Sequence, residues 1–119
     1  MNYSLRLMIA AICLISLLFT FGCSIRLADL TMISTKNVTL DKVDLDSLPQ
    51  TKGVVGKDEK FVFLGIPLGL PHLEEAVDDA LEKGNGDILI DSVLYTKHWD
   101  IWIIGQNILE VKGTVVKSR

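Results

Sequence analysis

Residues 73–81 carry a single apolar stripe, which constrains the possible fold more than any other feature of the chain. Its members follow an i, i+3, i+4, i+7, i+8 spacing, which places side chains on one face of an α-helix: Leu73, Ala76, Val77, Ala80 and Leu81. Pro71 suits a first helical turn, and Gly84 predicts the end of the helix. The small Ala76 and Ala80 at the centre of the stripe would let this helix lie close to a sheet.

Four segments predict strands, two on either side of this helix. Apolar and polar residues alternate over residues 31–45, and residues 61–66 form a short run of strand-forming side chains. Residues 88–95 and 108–117 are rich in β-branched side chains. We therefore expect a small two-layer α+β domain of about four antiparallel strands with one helix, in the order strand, strand, helix, strand, strand.

The remaining segments predict loops and one hairpin. Residues 47–60 are expected to be mostly loop, with residues 53–56 a candidate strand segment within it. Residues 67–71, with a proline at each end, are expected to be a connector. The last two strands are expected to pair as a hairpin. Alternation in the final strand predicts Leu109, Val111 and Val115 facing the helix, with Glu110, Lys112 and Thr114 facing outward.

An apolar stretch covering residues 7–21 precedes the domain, and Arg6 is the only basic residue before it. These 15 residues make roughly 22 Å of helix, which is short for a hydrocarbon core of about 30 Å. The layout predicts a secretory signal peptide. The alternatives are an uncleaved N-terminal anchor helix and a buried helix of a cytosolic protein.

The stretch ends in Gly22-Cys23, which resembles the lipobox of bacterial lipoproteins, although Thr20 and Phe21 replace the aliphatic and small residues usual before it. The resemblance implies cleavage between Gly22 and Cys23, acylation of Cys23, and attachment to a membrane through the lipid. Ser24 after the cysteine implies sorting to the outer membrane, facing the periplasm.

Four later segments, which lie within a span of about half the chain, resemble a group of small uncharacterised bacterial lipoproteins: residues 63–69, 73–81, 84–87 and 110–116. These motifs are structural in kind, and the group has no established activity. The resemblance therefore implies a place in the cell envelope without implying a reaction.

The lipobox-like motif also divides the chain. Residues 1–22 are interpreted as a signal peptide, residues 23–31 as the lipidated N-terminus and a tether, and residues 32–119 as a single α+β domain. Removal of the signal leaves 97 residues, enough for one small domain, and takes Cys13 with it, so no disulfide could form. The mature chain would carry 11 basic and 15 acidic side chains without a basic block, which argues against nucleic-acid binding.

Residues 99–104 contain the strongest candidate contact site. They combine large apolar side chains with a single charge, and the candidate residues are Trp99, Ile101, Trp102, Ile103 and Ile104. One interpretation is core packing at the end of the hairpin. The other is an exposed loop that contacts a protein partner or the membrane interface, where tryptophan is favoured.

Other polar patterns in the sequence do not indicate chemistry. The acidic helix face is typical of a solvated surface and carries Glu74, Glu75, Asp78, Asp79 and Glu82. His72 and His98 are the only histidines, too few for a zinc site without cysteines. No nucleophile signature or phosphate-binding loop is present. We therefore expect no enzyme activity, no catalytic or metal-binding residue, and no cofactor.

Two hypotheses for function remain. The preferred one is a lipid-anchored cell-envelope protein that acts as a binding or structural module, through contacts between residues 99–104 or the sheet edge and an unknown envelope protein. The alternative is an envelope sensor domain that responds to a ligand or a metal. Only a sensor should show a large thermal shift with one metal or small metabolite.

Overall fold

The computed structural model describes residues 2–18, 22–39 and 44–118. These residues form two helices, α1 (Tyr3–Leu18) and α2 (Leu73–Gly84), a 3₁₀ turn (Leu45–Ser47), and five strands, β1 (Cys23–Ile33), β2 (Gln50–Phe63), β3 (Ile66–Pro67), β4 (Ile88–Ile101) and β5 (Ile104–Val116). The strands make one antiparallel sheet in the order β1-β4-β5-β2-β3. Helix α2 packs on one face of this sheet, which confirms the predicted α+β class.

The core lies between α2 and the middle of the sheet. The predicted stripe is buried as expected, with Leu73 partly buried at its start. Gly56 of β2 is the closest approach, because a Cβ built there would lie 2.1 Å from the carbonyl oxygen of Ala76 and 2.6 Å from the Cβ of Ala80. The small side chains of the stripe therefore serve the close helix–sheet contact that the sequence predicts.

Polar side chains of α2 close the outer edge of β2. Asp79 accepts a hydrogen bond from the Lys57 amide at 2.9 Å, and Lys83 donates to the Val55 carbonyl at 3.3 Å. Lys83 and Asp79 also pair with each other at 2.5 Å. Burial would raise the pKa of Asp79, but its bonds to Lys83 and the Lys57 amide outweigh this and lower it. One edge of the sheet is thus closed to further strands.

Asp58 joins β2 to the beginning of α2. Its carboxylate accepts the His72 amide at 2.7 Å and pairs with Lys60 at 3.2 Å. Burial would raise the pKa of Asp58, but the amide and the ammonium outweigh it and hold that pKa below its usual range. The ionised carboxylate therefore binds the amide of the N-cap residue His72, as the N3 side chain of a capping box does, and lies at the positive end of α2.

The side chains of the final strand, β5, lie on the predicted faces of the sheet, and Glu110 is in addition nearly buried. Val111 and Val115 are in the core and Leu109 packs against it. Glu110 lies on the opposite face but is only 8% exposed, because Lys97 at 2.8 Å and Lys57 at 3.7 Å lie beside its carboxylate. The outward-facing acid is therefore paired rather than solvated.

The expected tether is wrong, because residues 23–31 lie in β1 and pair with β4 over almost its whole length. The first predicted strand, residues 31–45, is also wrong over residues 34–39, since β1 ends at Ile33, and at Leu45, which begins the 3₁₀ turn. A β-bulge explains why the sequence did not predict β1 over residues 23–31. The register shifts between Arg26 and Ala28, so the side chains that alternate between the two faces change face within the strand.

Three further boundaries differ from the prediction. Residues 47–60 are mostly strand rather than loop, since β2 begins at Gln50 and runs to Phe63. The predicted strand over residues 61–66 contains a turn, after which β3 pairs back on β2. Strand β4 continues to Ile101 and β5 begins at Ile104, so both are longer than the strands predicted over residues 88–95 and 108–117, and they form the expected hairpin.

Helix α1 covers part of the N-terminal apolar stretch, and the described side chains of residues 2–17 are exposed. Residues 19–21 of that stretch and residues 40–43 of the first predicted strand lie outside the described residues. Within the described ranges, no helix has both the length and the apolar character needed to cross a membrane.

Candidate functional site

Two hairpins bring their tips together at one end of the sheet. Phe63 of β2 pairs with Ile104 of β5 on one side and with Ile66 of β3 on the other, and Ile104 pairs with Ile101 of β4. The Leu64 amide also donates to the Ile103 carbonyl at 2.8 Å, which joins the two turns. We call residues 61–66 and 99–104 together the apolar end.

Most of the large apolar side chains of the apolar end are exposed. Cross-strand partners lie on the same face of a sheet, so the four paired residues make one apolar row across four strands. Their exposed fractions are 56% for Ile101, 53% for Ile104, 49% for Phe63 and 65% for Ile66. Ile104 lies seven positions before the core residue Val111, so the alternation of a strand puts this row on the face opposite α2.

The turns at the two tips carry bulky residues in a left-handed backbone conformation. Leu64 has φ 51° and is followed by Gly65 with φ 75°, the pattern of a two-residue hairpin turn. Trp102 has φ 54°, and its turn is closed by the Ile103 amide bonding to the Ile101 carbonyl at 2.5 Å. Glycine or asparagine would adopt these conformations with less strain.

The five predicted contact residues are thus brought together, and the exposed-loop interpretation describes four of them. Trp102 is 83% exposed, and Ile101, Ile103 and Ile104 are exposed beside it. Trp99 is only half-buried and donates from its indole nitrogen to Gln106 at 3.1 Å. Core packing is therefore not the role of Ile101–Ile104 in this fold.

Sequence reasoning missed the second half of the apolar end, which consists of Phe61, Phe63, Leu64 and Ile66. The available signal was the absence of charge, since residues 61–71 and residues 101–109 both lack charged side chains. That signal alone does not show that the two runs are neighbours. Their proximity depends on the long-range register between β2 and β5.

Cys23, the predicted lipidation residue, lies at the same end of the sheet. It is the first residue of β1, its thiol is exposed, and it pairs with His98 of β4. His98 lies three positions before Ile101, a separation of about 10 Å along a strand. Gly22, on the other side of the predicted cleavage point, approaches the Trp99 Cβ, since a Cβ built on it would lie 3.8 Å away.

The other polar candidates are not brought together. His72 begins α2, whereas His98 contacts Asn107 at 2.6 Å and Asp100 at 3.6 Å in the β4–β5 hairpin. Among the described residues, no group of three or more histidine, cysteine or acidic side chains is arranged to hold a metal ion.

A surface depression of about 450 Å³ lies beside the end of α2, and two of its polar lining residues, Lys36 and Asp78, are engaged within the chain. Lys36 donates to the Gly86 carbonyl at 3.1 Å and approaches Asp87 at 3.6 Å, and Asp78 accepts a hydrogen bond from Thr35. These contacts bind the segment after β1 to α2. They are structural contacts and do not identify a ligand.

The fold and the site define a class: a small α+β domain with one helix on a five-stranded antiparallel sheet and an exposed apolar end. In comparisons with protein-family models, curated proteins and solved structures, nothing matches this chain. The function must therefore be argued from the geometry of its own residues.

Proposed function

We propose that this protein is a lipid-anchored module of the bacterial cell envelope, which binds other envelope proteins and carries out no reaction of its own. The supporting observation is the position of Cys23 at the first residue of β1, on the same end of the sheet as the apolar end. Acyl chains on this cysteine would hold the domain at a membrane, and two or three such chains give stable attachment where a single chain binds only reversibly.

The open edge of the sheet supports the binding part of the proposal. Within the described ranges, β1 pairs only with β4, whereas the outer edge of β2 is closed by β3 and by polar side chains of α2. An edge of this kind presents backbone amides and carbonyls to which a strand of another protein can pair. The anchor would keep that edge at high effective concentration near envelope partners.

Metabolic labelling with an alkyne fatty acid tests the anchor. The wild-type chain should carry the label, and Cys23→Ser should abolish it, because the thiol is the proposed attachment atom. Cys13→Ser is the matched control, since Cys13 is also exposed but lies in α1, within the predicted signal. Label that persists in Cys23→Ser, or a wild-type chain without label, would contradict the proposal.

Site-specific photocrosslinking in intact cells tests the partner contact. A photoreactive residue in place of Leu27, which is 54% exposed on β1, should give a discrete crosslinked product. The same residue in place of Glu82, exposed on α2, is the control and should give little of that product. Equal yields from the two positions would show that β1 is not the contact surface.

A further inference from the structure

We propose that the apolar end inserts into the interfacial layer of the membrane that holds Cys23, so that the sheet stands on the bilayer with α2 away from it. The occupant of this surface is the lipid headgroup and upper acyl region. The inference rests on the proposed function, because it takes acylation of Cys23 as the reason that the domain is held at a membrane.

The position of the anchor is the first support. Because β1 begins at Cys23, no flexible segment separates the lipidated residue from the sheet. The Cys23–His98 pair lies about 10 Å along the strand from Ile101. An interfacial element typically lies about 5–10 Å deep in the headgroup and acyl boundary. Acyl chains on Cys23 would therefore bring the hairpin tips to the depth at which apolar side chains leave water.

The nature of the side chains is the second support. The apolar row crosses four strands without a charged member, and Trp102 lies beyond it at the turn. Tryptophan is enriched at membrane interfaces, where its ring contacts the apolar region and its N–H reaches polar groups. Asp100 is the one charged side chain in the apolar end, and it lies on the face of the sheet opposite the row. Lys60, Lys97 and His98 directly precede the apolar end along β2 and β4.

The backbone of the turns is the third support. Trp102 and Leu64 occupy left-handed conformations that are strained for a residue with a Cβ. Neither side chain is buried within the protein, so its packing does not offset that cost. Insertion in lipid would offset it, since removing apolar surface from water stabilises the bound state.

The distribution of acidic side chains is the fourth support. The first turn of α2 lies beside Asp58, which is five residues or about 16 Å along β2 from Phe63. The helix then passes Gly56 and ends near Thr51. It therefore runs away from the apolar end. Its acidic surface lies far from the anionic headgroups that would repel it.

Quenching of tryptophan fluorescence by lipid tests the orientation. The full-length protein carrying Trp99→Phe is purified from membranes and reconstituted into phosphatidylcholine–phosphatidylglycerol vesicles that contain a shallow nitroxide-labelled lipid. Trp102 is then the only tryptophan, and excitation at the red edge of its absorption selects it over tyrosine. We expect its emission to shift to the blue and about half of its intensity to be lost, as for a side chain at the headgroup boundary.

A reporter on α2 is the matched control. In a Trp99→Phe, Trp102→Phe background, Glu82→Trp should give emission that is neither shifted nor quenched, because this exposed position lies on the helix end far from the apolar end. Equal quenching of both reporters would show that the domain lies flat or tumbles, and would overturn the inference.

Other occupants of the apolar end give different results. Trp102 emission that is unshifted and unquenched would mean that the end stays in water, and a blue shift without quenching, with a crosslinked dimer, would mean that a second copy covers it. If Cys23 carries the fatty-acid label, either result overturns the inference about the apolar end and leaves the proposed lipid anchor standing. Absence of that label contradicts the proposed function instead, so the two failures are distinguishable.

Discussion

Strand β2 passes through two different environments along its length. At Val54, Gly56 and Asp58 it lies under α2 and is buried, whereas at Phe61 and Phe63 its outward side chains are 57% and 49% exposed. In the first region, β2 packs on α2 and its polar groups form hydrogen bonds with the helix. The second region belongs to the apolar end and has no helix over it. The main hydrophobic cluster under α2 contains no residue of the apolar end, so we expect the exposed side chains there to contribute little to folding.

The largest expected effect concerns the helix contact at Gly56. Gly56→Ala places a methyl group against the Ala76 carbonyl and the Ala80 amide, at 2.1 and 2.5 Å in the present geometry, so α2 must move away from the sheet. We expect a loss of about 3 kcal/mol in the free energy of unfolding, at the upper end of ordinary overpacking. Urea unfolding of the purified full chain in detergent measures it.

Gly69→Ala is the control, because its new methyl group would meet only the flexible end of Lys60, at 3.5 Å. Its expected change is within about 1 kcal/mol. If the two variants unfold at the same urea concentration, α2 does not contact β2 as described.

A smaller loss of stability is expected when Asp58, whose carboxylate links β2 to the beginning of α2, is replaced. Asp58→Asn should cost about 1–2 kcal/mol near pH 7, because the carboxylate that accepts the His72 amide and pairs with Lys60 is lost. The pKa of Asp58 is lowered by folding, so its stabilisation is fully present above the unfolded value of about 3.9 and disappears as pH falls through the folded pKa.

The free energy of unfolding of the wild type should therefore approach that of Asp58→Asn below about pH 4. Thermal unfolding followed at several pH values measures it. Asp46→Asn removes an exposed carboxylate in the 3₁₀ turn, and its thermal stability should differ little from that of the wild type at any pH. A gap between wild type and Asp58→Asn that widens on acidification would show that the carboxylate is not ionised in the folded protein.

The smallest effect, and one of opposite sign, is expected at the turns of the apolar end. Leu64→Asn provides the Asn-Gly pair that suits this turn, and should raise the free energy of unfolding by about 0.5–1 kcal/mol. The same change should weaken vesicle contact, because it removes an exposed apolar side chain.

Trp102→Asn should behave in the same way as Leu64→Asn, since Trp102 is also exposed with a positive φ. Thermal unfolding measures the stability of each variant, and nitroxide quenching of its remaining tryptophan fluorescence measures vesicle contact. Loss of stability in both variants would place these side chains in packing that the present geometry does not contain.

The same comparison explains what the sequence could predict. The stripe of α2 is a local pattern, so its position, its end and its buried face could all be predicted. Strand β2 could not, because Lys57, Asp58, Glu59 and Lys60 are poor strand formers that become favourable only through contacts with β5 and α2.

The apolar end was predictable only in part. Residues 99–104 could be recognised by their composition, and the hairpin that carries them by its flanking strands. Their proximity to residues 61–66 depends on the pairing of Phe63 with Ile104, which are far apart in the chain. The missed strand β1 has a similar cause, since its bulge removes the alternation that would identify it.

Hydrogen exchange of the lipidated protein tests the central claim, that Cys23 and the apolar end make one membrane contact. Amide exchange is compared between detergent-free vesicles and a Cys23→Ser chain kept away from lipid. We predict slower exchange on vesicles at the turn amides of residues 64–65 and 102–103, with no change in α2. Unchanged exchange at both turns, or equal slowing in α2, would contradict the account.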